Sequence, residues 1–102
     1  MAVGIHMTLA EGLGVDEYRA VNAALDHENN PIAGLYFHQG LEMEGRIHAY
    51  DVWESREAFD TFQQERLGPT IAATVGEERM QEAGPPEIEE YEVLGFVKGD
   101  AA

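Results

Sequence analysis

A strand handing directly to a capped helix is written into Asp51-Val52-Trp53-Glu54-Ser55-Arg56-Glu57-Ala58-Phe59-Asp60-Thr61-Phe62, and no other stretch restricts the folding of this chain as much. Ile47-His48-Ala49-Tyr50-Asp51-Val52-Trp53 is rich in β-branched and aromatic residues and free of Gly and Pro, which suits a pleated surface. Ser55 changes the rules. Its hydroxyl can accept from the unpaired N–H groups of a first helical turn, and Glu57 adds negative charge where the helix dipole favours it. Phe59, Phe62 and Leu67 then share one helical face, with Arg56, Asp60, Gln63 and Gln64 on the other. Gly68-Pro69 is expected to break this helix, with a further turn or two over Thr70–Val75 before Gly76.

The rest of the chain falls into place around that junction. Val3 to Leu9 alternates as a first strand, and Glu11-Gly12-Leu13-Gly14 turns it into a helix that starts near Asp16. In that helix Tyr18, Val21 and Leu25 lie three and four apart, which marks its inward face. Asn29-Asn30-Pro31 ends it. Ile32 to His38 reads as the second strand, Gln39 to Gly45 as a hairpin loop, Gly76 to Pro86 as an acidic loop or short helical piece, and Ile88 to Val97 as the last strand. The order is β-α-β-β-α-β, so the expected class is α+β with a ferredoxin-like, four-stranded antiparallel sheet over a single domain, residues 1–102. Helices cover one sheet face. The other is left bare and apolar, so two copies are expected to pair sheet to sheet.

Charge and composition exclude several classes of function. Twenty acidic residues against six basic ones give a formal net charge of −14, which repels nucleic acid and anionic membranes. The absence of Cys removes disulfides, thiolate nucleophiles and Cys-ligated metal centres. Met1 to Met7 has no basic leader and no long apolar run, so the cytoplasm is the expected location, and a single Lys among so many acids fits a bacterial or salt-adapted source. At 102 residues the surface-to-volume ratio is high, and a homodimer that buries one more face is favoured.

Four motifs together resemble the dimeric α/β-barrel superfamily: Val52-Trp53-x-Ser55-x-x-Ala58-Phe59, Gly34-Leu35-x-Phe37-His38, Leu67-Gly68-Pro69 and Pro86-Glu87-Ile88-Glu89-x-Tyr91-x-Val93. That group includes antibiotic-biosynthesis monooxygenases, haem-degrading monooxygenases, some polyketide cyclases and many small bacterial proteins. The resemblance implies a ferredoxin-like domain that pairs into a dimeric α/β barrel; it separates poorly between reactions, because fold and function part company there. The haem-degrading branch also implies an iron-ligating histidine in the second helix. Here the last histidine is His48, and Ile5 stands where that branch has Asn, so haem is not expected.

Several polar and aromatic residues are candidates for a site. Asp51 shares a strand face with Ile47, Ala49 and Trp53, a stripe expected to face the helices with Val3, Ile5 and Met7. An acid there is either a desolvated base for a phenolic or enolic proton, or a carboxylate paired with a backbone turn, a Tyr, Arg46 or Arg66. His38, at the end of its strand, is a second candidate acid or base, or an ordinary loop-edge histidine. His48, with His6 and Tyr50 on the opposite parity, is either a third acid-base group or part of a polar network in the dimer seam. Trp53, Tyr36, Tyr50, Phe59 and Phe62 are candidates to line a substrate pocket, with core packing as the alternative for Trp53. No His-x-His, His-x3-His or His-Glu-x-x-His spacing occurs and Gly12-x-Gly14 lacks the rest of a dinucleotide fingerprint, so neither metal nor cofactor is expected.

Two functions fit. The first is a cofactor-independent enzyme, monooxygenase-like or cyclase-like, acting on a hydrophobic aromatic or polyketide-type molecule between sheet and helices. The second is a non-catalytic dimer of the same fold that binds a small ligand or serves as a scaffold or stress-related partner. An enclosed apolar pocket touching Trp53 and a titratable group favours the first; a fully paired Asp51 and a closed core favour the second.

Overall fold

A computed structural model of the chain describes residues 2–95, 97 and 100. Its elements are β1 (Val3–Thr8), α1 (Val15–Leu25), β2 (Leu35–Met43), β3 (Arg46–Trp53), α2 (Arg56–Phe62), α3 (Gly68–Val75), α4 (Glu77–Ala83) and β4 (Glu87–Glu92). The strands form one antiparallel sheet in the order β2-β3-β1-β4. This is the expected β-α-β-β-α-β arrangement, with α3 and α4 carried between α2 and β4. Among the described residues no helix is long and apolar enough to cross a membrane.

Register decides which side chains become core. Pairing Val3 with Trp53, Ile5 with Asp51 and Met7 with Ala49 puts the odd positions of both central strands under the helices, as the period-two pattern required. Ile5 and Trp53 are wholly buried there, and Phe59 of α2 closes over them. Its ring meets the Trp53 indole edge-on at 5.7 Å, and Phe62 leans against the same indole at 5.4 Å. α2 is held at its start by Ser55, whose Oγ accepts from the Ala58 N–H at 3.1 Å.

Three boundaries differ from the sequence expectation. β2 starts at Leu35 rather than Ile32 and runs on to Met43, so most of the expected Gln39–Gly45 loop is strand. Leu41 and Met43 keep a period-two alternation that outweighs the glycine at 40, and the turn shrinks to Glu44-Gly45. Both turn residues have positive φ, 53° and 77°, the twist that suits a tight hairpin. Gly68-Pro69 does not break the second helix. The segment Gln63–Leu67 widens into a π turn whose last bond runs from the Gly68 N–H to the Gln63 carbonyl, and Pro69 sits in the first turn of α3, where a missing N–H costs least. β4 ends at Glu92; of the expected continuation to Val97, residues 93–95 and 97 are not strand and Phe96 lies outside the described residues.

The sheet face away from the helices carries Phe37, Met43 and Tyr91, which are 51%, 47% and 38% exposed, together with half-buried Tyr50 and Val52. The expected apolar side chains are on this face, and the register sets the polar His6, Thr8, Gln39, His48 and Glu89 among them.

Candidate active site

Asp51 sits on the helix side of β3 and is only 7% exposed. An acid so placed needs partners, and both of its oxygens have them. Oδ1 lies 2.6 Å from Nδ1 of His38, its cross-strand neighbour on β2, and Oδ2 accepts from the Trp53 indole N–H at 3.2 Å. On the far side of the imidazole, Nε2 stands 2.7 Å from the Tyr18 hydroxyl of α1. Neither Arg46 nor Arg66 reaches Asp51; their guanidinium groups donate to main-chain carbonyls at Leu9, Leu25 and Pro31.

A β-bulge brings His38 to this position. The β2–β3 register shifts between Leu35 and Phe37, so Leu35 pairs with Trp53 on the helix side, Tyr36 is the extra residue, and Phe37 falls on the open face. His38 is thereby aimed at Asp51. Without the extra residue the alternation would send it to the other side of the sheet. Tyr18 reaches over from α1 because position 40 has no side chain: its ring lies against the Gly40 backbone, where a Cβ would overlap it.

The hydrogen bonds assign donor and acceptor roles along this chain once Asp51 is taken as a carboxylate. With Asp51 ionised, Nδ1 of His38 carries the proton that bridges them, Nε2 is left as an acceptor, and the Tyr18 hydroxyl donates to it. Burial, and after it the negative charge of Asp51, hold the Tyr18 hydroxyl above the usual tyrosine range, which keeps it a donor at neutral pH. The carboxylate orients the imidazole, and the imidazole presents one basic nitrogen toward the helix layer. An imidazole held in this way can accept a proton, with the carboxylate placed beside the imidazolium that would result.

A pocket of about 230 Å³ opens between α1 and β2 beside this chain, walled by Val15, Tyr18, Gly40, Leu41 and Ile47, with the charged Arg19 and Glu42. A larger, shallower depression of about 780 Å³ lies around Arg66, between the end of α1 and α3, and holds none of the candidate residues. Among the described residues, Tyr18 joins the smaller of these two pockets to the acid-base chain.

The anticipated residues therefore divide by sheet face. Asp51, His38 and Trp53 come together, with Phe59 and Phe62 packed behind the indole. Trp53 and Phe59 are 0% and 1% exposed and line neither pocket. His48 and Tyr50 lie on the opposite face, around His6: Nε2 of His6 is 3.0 Å from Nδ1 of His48, and the Tyr50 ring stacks on His6 at 4.3 Å. Tyr36 sits on the bulge, 57% exposed. Among the described residues no three His, Cys, Asp or Glu side chains form a group that could hold a metal ion. Tyr18 and Gly40 were missed as site residues. A tyrosine on the inward face of a helix was the available signal, because its hydroxyl must find a partner when buried.

No family model matches the chain, and no curated protein matches it. Solved structures do. A protein of unknown function from Nitrosomonas europaea superposes with a TM-score of 0.70 at 14% identity, covering 98% of this chain and 96% of its own. A candidate antibiotic biosynthesis monooxygenase from Caulobacter crescentus gives 0.67 at 19% identity, covering 92% and 91%. SnoaB, a cofactor-independent oxygenase from Streptomyces nogalater, gives 0.61 at 14% identity, covering 96% and 97%. At these identities the likeness is one of architecture, and it places the chain in the ferredoxin-like fold shared by antibiotic-biosynthesis-monooxygenase-like proteins.

Proposed function

We propose that this protein is a cofactor-independent enzyme that removes a phenolic or enolic proton from a hydrophobic aromatic or polyketide-type molecule held in the pocket beside Tyr18. The observation that carries this reading is the chain Tyr18–His38–Asp51, in which a buried carboxylate fixes an imidazole whose second nitrogen meets the hydroxyl of Tyr18, a residue that lines a pocket. His38 is the base and Asp51 its orienting partner, so the proton-accepting role moves from the carboxylate, whose oxygens are both occupied, to the ring. A substrate hydroxyl takes the place of the Tyr18 hydroxyl at Nε2. In the oxygenase form of the reaction the deprotonated, electron-rich substrate then reduces molecular oxygen directly; in the cyclase form the same base acts without oxygen. The fold shared with SnoaB supports the first form.

The second reading, a non-catalytic dimer that binds a small ligand or acts as a scaffold, is favoured by a different observation. Asp51 has a partner on each oxygen and Trp53 is entirely enclosed, as packing alone would demand. Turnover separates the two. The purified protein is offered a panel of polyhydroxylated polycyclic aromatics while oxygen uptake and absorbance are followed. Wild-type turnover that falls about a hundredfold or more in His38→Ala supports the enzyme. Absorbance change without oxygen uptake assigns the cyclase form. Turnover that survives His38→Ala removes His38 as the base, and saturable binding without turnover leaves the ligand-binding dimer.

In either reading we take the working form to be a homodimer closed through the sheet face that carries Phe37, Met43 and Tyr91.

A further inference from the structure

Arginines in this chain are committed to the fold, with one exception. Arg46 and Arg66 donate to main-chain carbonyls, Arg56 pairs with Asp60 and Glu90, and Arg79 pairs with Glu17. Among the described residues, Arg19 is the one arginine whose side chain makes no hydrogen bond, ion pair or ring contact with the rest of the chain. It is exposed on α1, one residue after Tyr18, and borders the pocket of about 230 Å³ from the helix side. Glu42 borders the same pocket from β2, and its carboxylate likewise has no partner among the described residues. With twenty acidic residues against six basic ones, an arginine has many carboxylates to pair with; one left unpaired at a pocket is available to a ligand.

We propose that Arg19 determines the specificity of this pocket and that the ligand it selects is a carboxylated phenol, an aromatic molecule with its hydroxyl at Nε2 of His38 and a carboxylate at its outer end. The inference rests on the reading of this pocket as the substrate site and narrows the substrate class. Volume sets the arrangement. Small-molecule pockets usually enclose about 300–1,000 Å³, so a pocket of about 230 Å³ takes in one or two rings and leaves the far end of the molecule at the mouth. Val15, Leu41 and Ile47 give the rings an apolar wall, and Tyr18 marks the point where a phenolic hydroxyl reaches the imidazole. At the mouth, a guanidinium offers a carboxylate two parallel N–H donors, a match that an uncharged ring edge cannot make. Glu42 opposes the same anion, so the two charges admit a single carboxylate and reject a more highly charged molecule. The net charge of −14 repels every anion, and a preference for the acid therefore has to come from pairing at Arg19.

Equilibrium binding of 2-naphthol and 6-hydroxy-2-naphthoate to the full chain, followed by calorimetry at low salt, tests the assignment, because the two probes differ only in the carboxylate. The wild type is expected to bind the acid about fivefold more tightly than the phenol. Arg19→Gln removes or reverses that preference while its affinity for 2-naphthol stays within about twofold of wild type. Glu42→Gln widens the preference, and Arg19→Lys, which keeps the charge without the planar fork, retains part of it. Arg19 is exposed and bonded to nothing in the chain, so these substitutions leave the fold in place. Equal affinity for the two probes in the wild type, or a preference for the acid that survives Arg19→Gln, overturns the proposal. Failure of both probes to bind overturns it too, and removes the pocket with it. Turnover scores the underlying reaction separately. An Arg19-dependent preference without turnover keeps the carboxylate site and loses the enzyme, whereas His38-dependent turnover without any preference for the acid keeps the enzyme and loses the role of Arg19.

Discussion

Tyr18 reaches His38 only because residue 40 ends at its α-carbon. A methyl group there would meet the tyrosine hydroxyl and the ring carbon that bears it, and the far end of that side chain is free to swing aside. Gly40→Ala should therefore separate two effects. Loss of the Tyr18–His38 hydrogen bond costs about 1 kcal/mol, while replacing a strand glycine by alanine returns about 0.5–1 kcal/mol. Stability in urea is expected to stay within about 1 kcal/mol of wild type. The Tyr18 titration should not stay where it is. Its hydroxyl is held above the usual range by burial and by Asp51, and displacement relieves both, so its apparent pKa falls toward that of free tyrosine. A Tyr18 titration identical in the two proteins would show that the ring keeps its place and that Gly40 is not what lets it in. At this scale the sequence was half informative. An acid among Ile47, Ala49 and Trp53 announces itself by breaking an apolar stripe, and Asp51 is where that stripe put it. Its partner was not legible, because whether His38 points at Asp51 or away from it depends on one extra residue in β2.

Among the elements, the strand-to-helix junction behaves as its chemistry dictates. Ser55 satisfies an N–H that the first turn of α2 cannot satisfy itself, and α2 in turn sets Phe59 and Phe62 against Trp53. Ser55→Ala should lower stability by about 1 kcal/mol, read from the urea midpoint, and Ser55→Asp should restore it. A midpoint unmoved in Ser55→Ala would mean that water replaces the hydroxyl at no cost and that packing alone positions α2. Where the sequence misled, a backbone adjustment had absorbed a residue that reads as a stop. Gly68-Pro69 looks terminal, yet one wide turn over Gln63–Leu67 lets the helical path continue with Pro69 near its new start. Gly40 looks like loop, yet it lies within β2 opposite Ala49. Period and caps were readable because they are local and repeated. The bulge and the π turn are single insertions whose energy is decided by what packs across from them.

For the whole molecule, the balance lies between an uncovered apolar face and a heavy like charge. Phe37, Met43 and Tyr91 leave 51%, 47% and 38% of their surfaces in water on the side of the sheet that no helix covers, and a patch of this kind is stabilised by meeting a copy of itself. Each copy brings a formal charge of −14, and the repulsion between two such bodies opposes their approach. Screening acts on the second effect and scarcely on the first, since added salt shortens the range of charge repulsion to about 8–10 Å near physiological strength. Dimerisation is therefore expected to tighten as salt rises, the reverse of an interface held by ion pairs. Light scattering on the eluted protein should give twice 11.3 kDa, with the dissociation constant falling between low and physiological salt. Val52→Glu adds charge opposite Phe37 on the apolar face and should shift the protein to monomer at every salt concentration while leaving the Asp51 side of β3 intact. A wild-type mass of 11.3 kDa at working concentration would leave the open face to some other partner. A dimer that weakens with salt would place its contacts among charged side chains and away from this face.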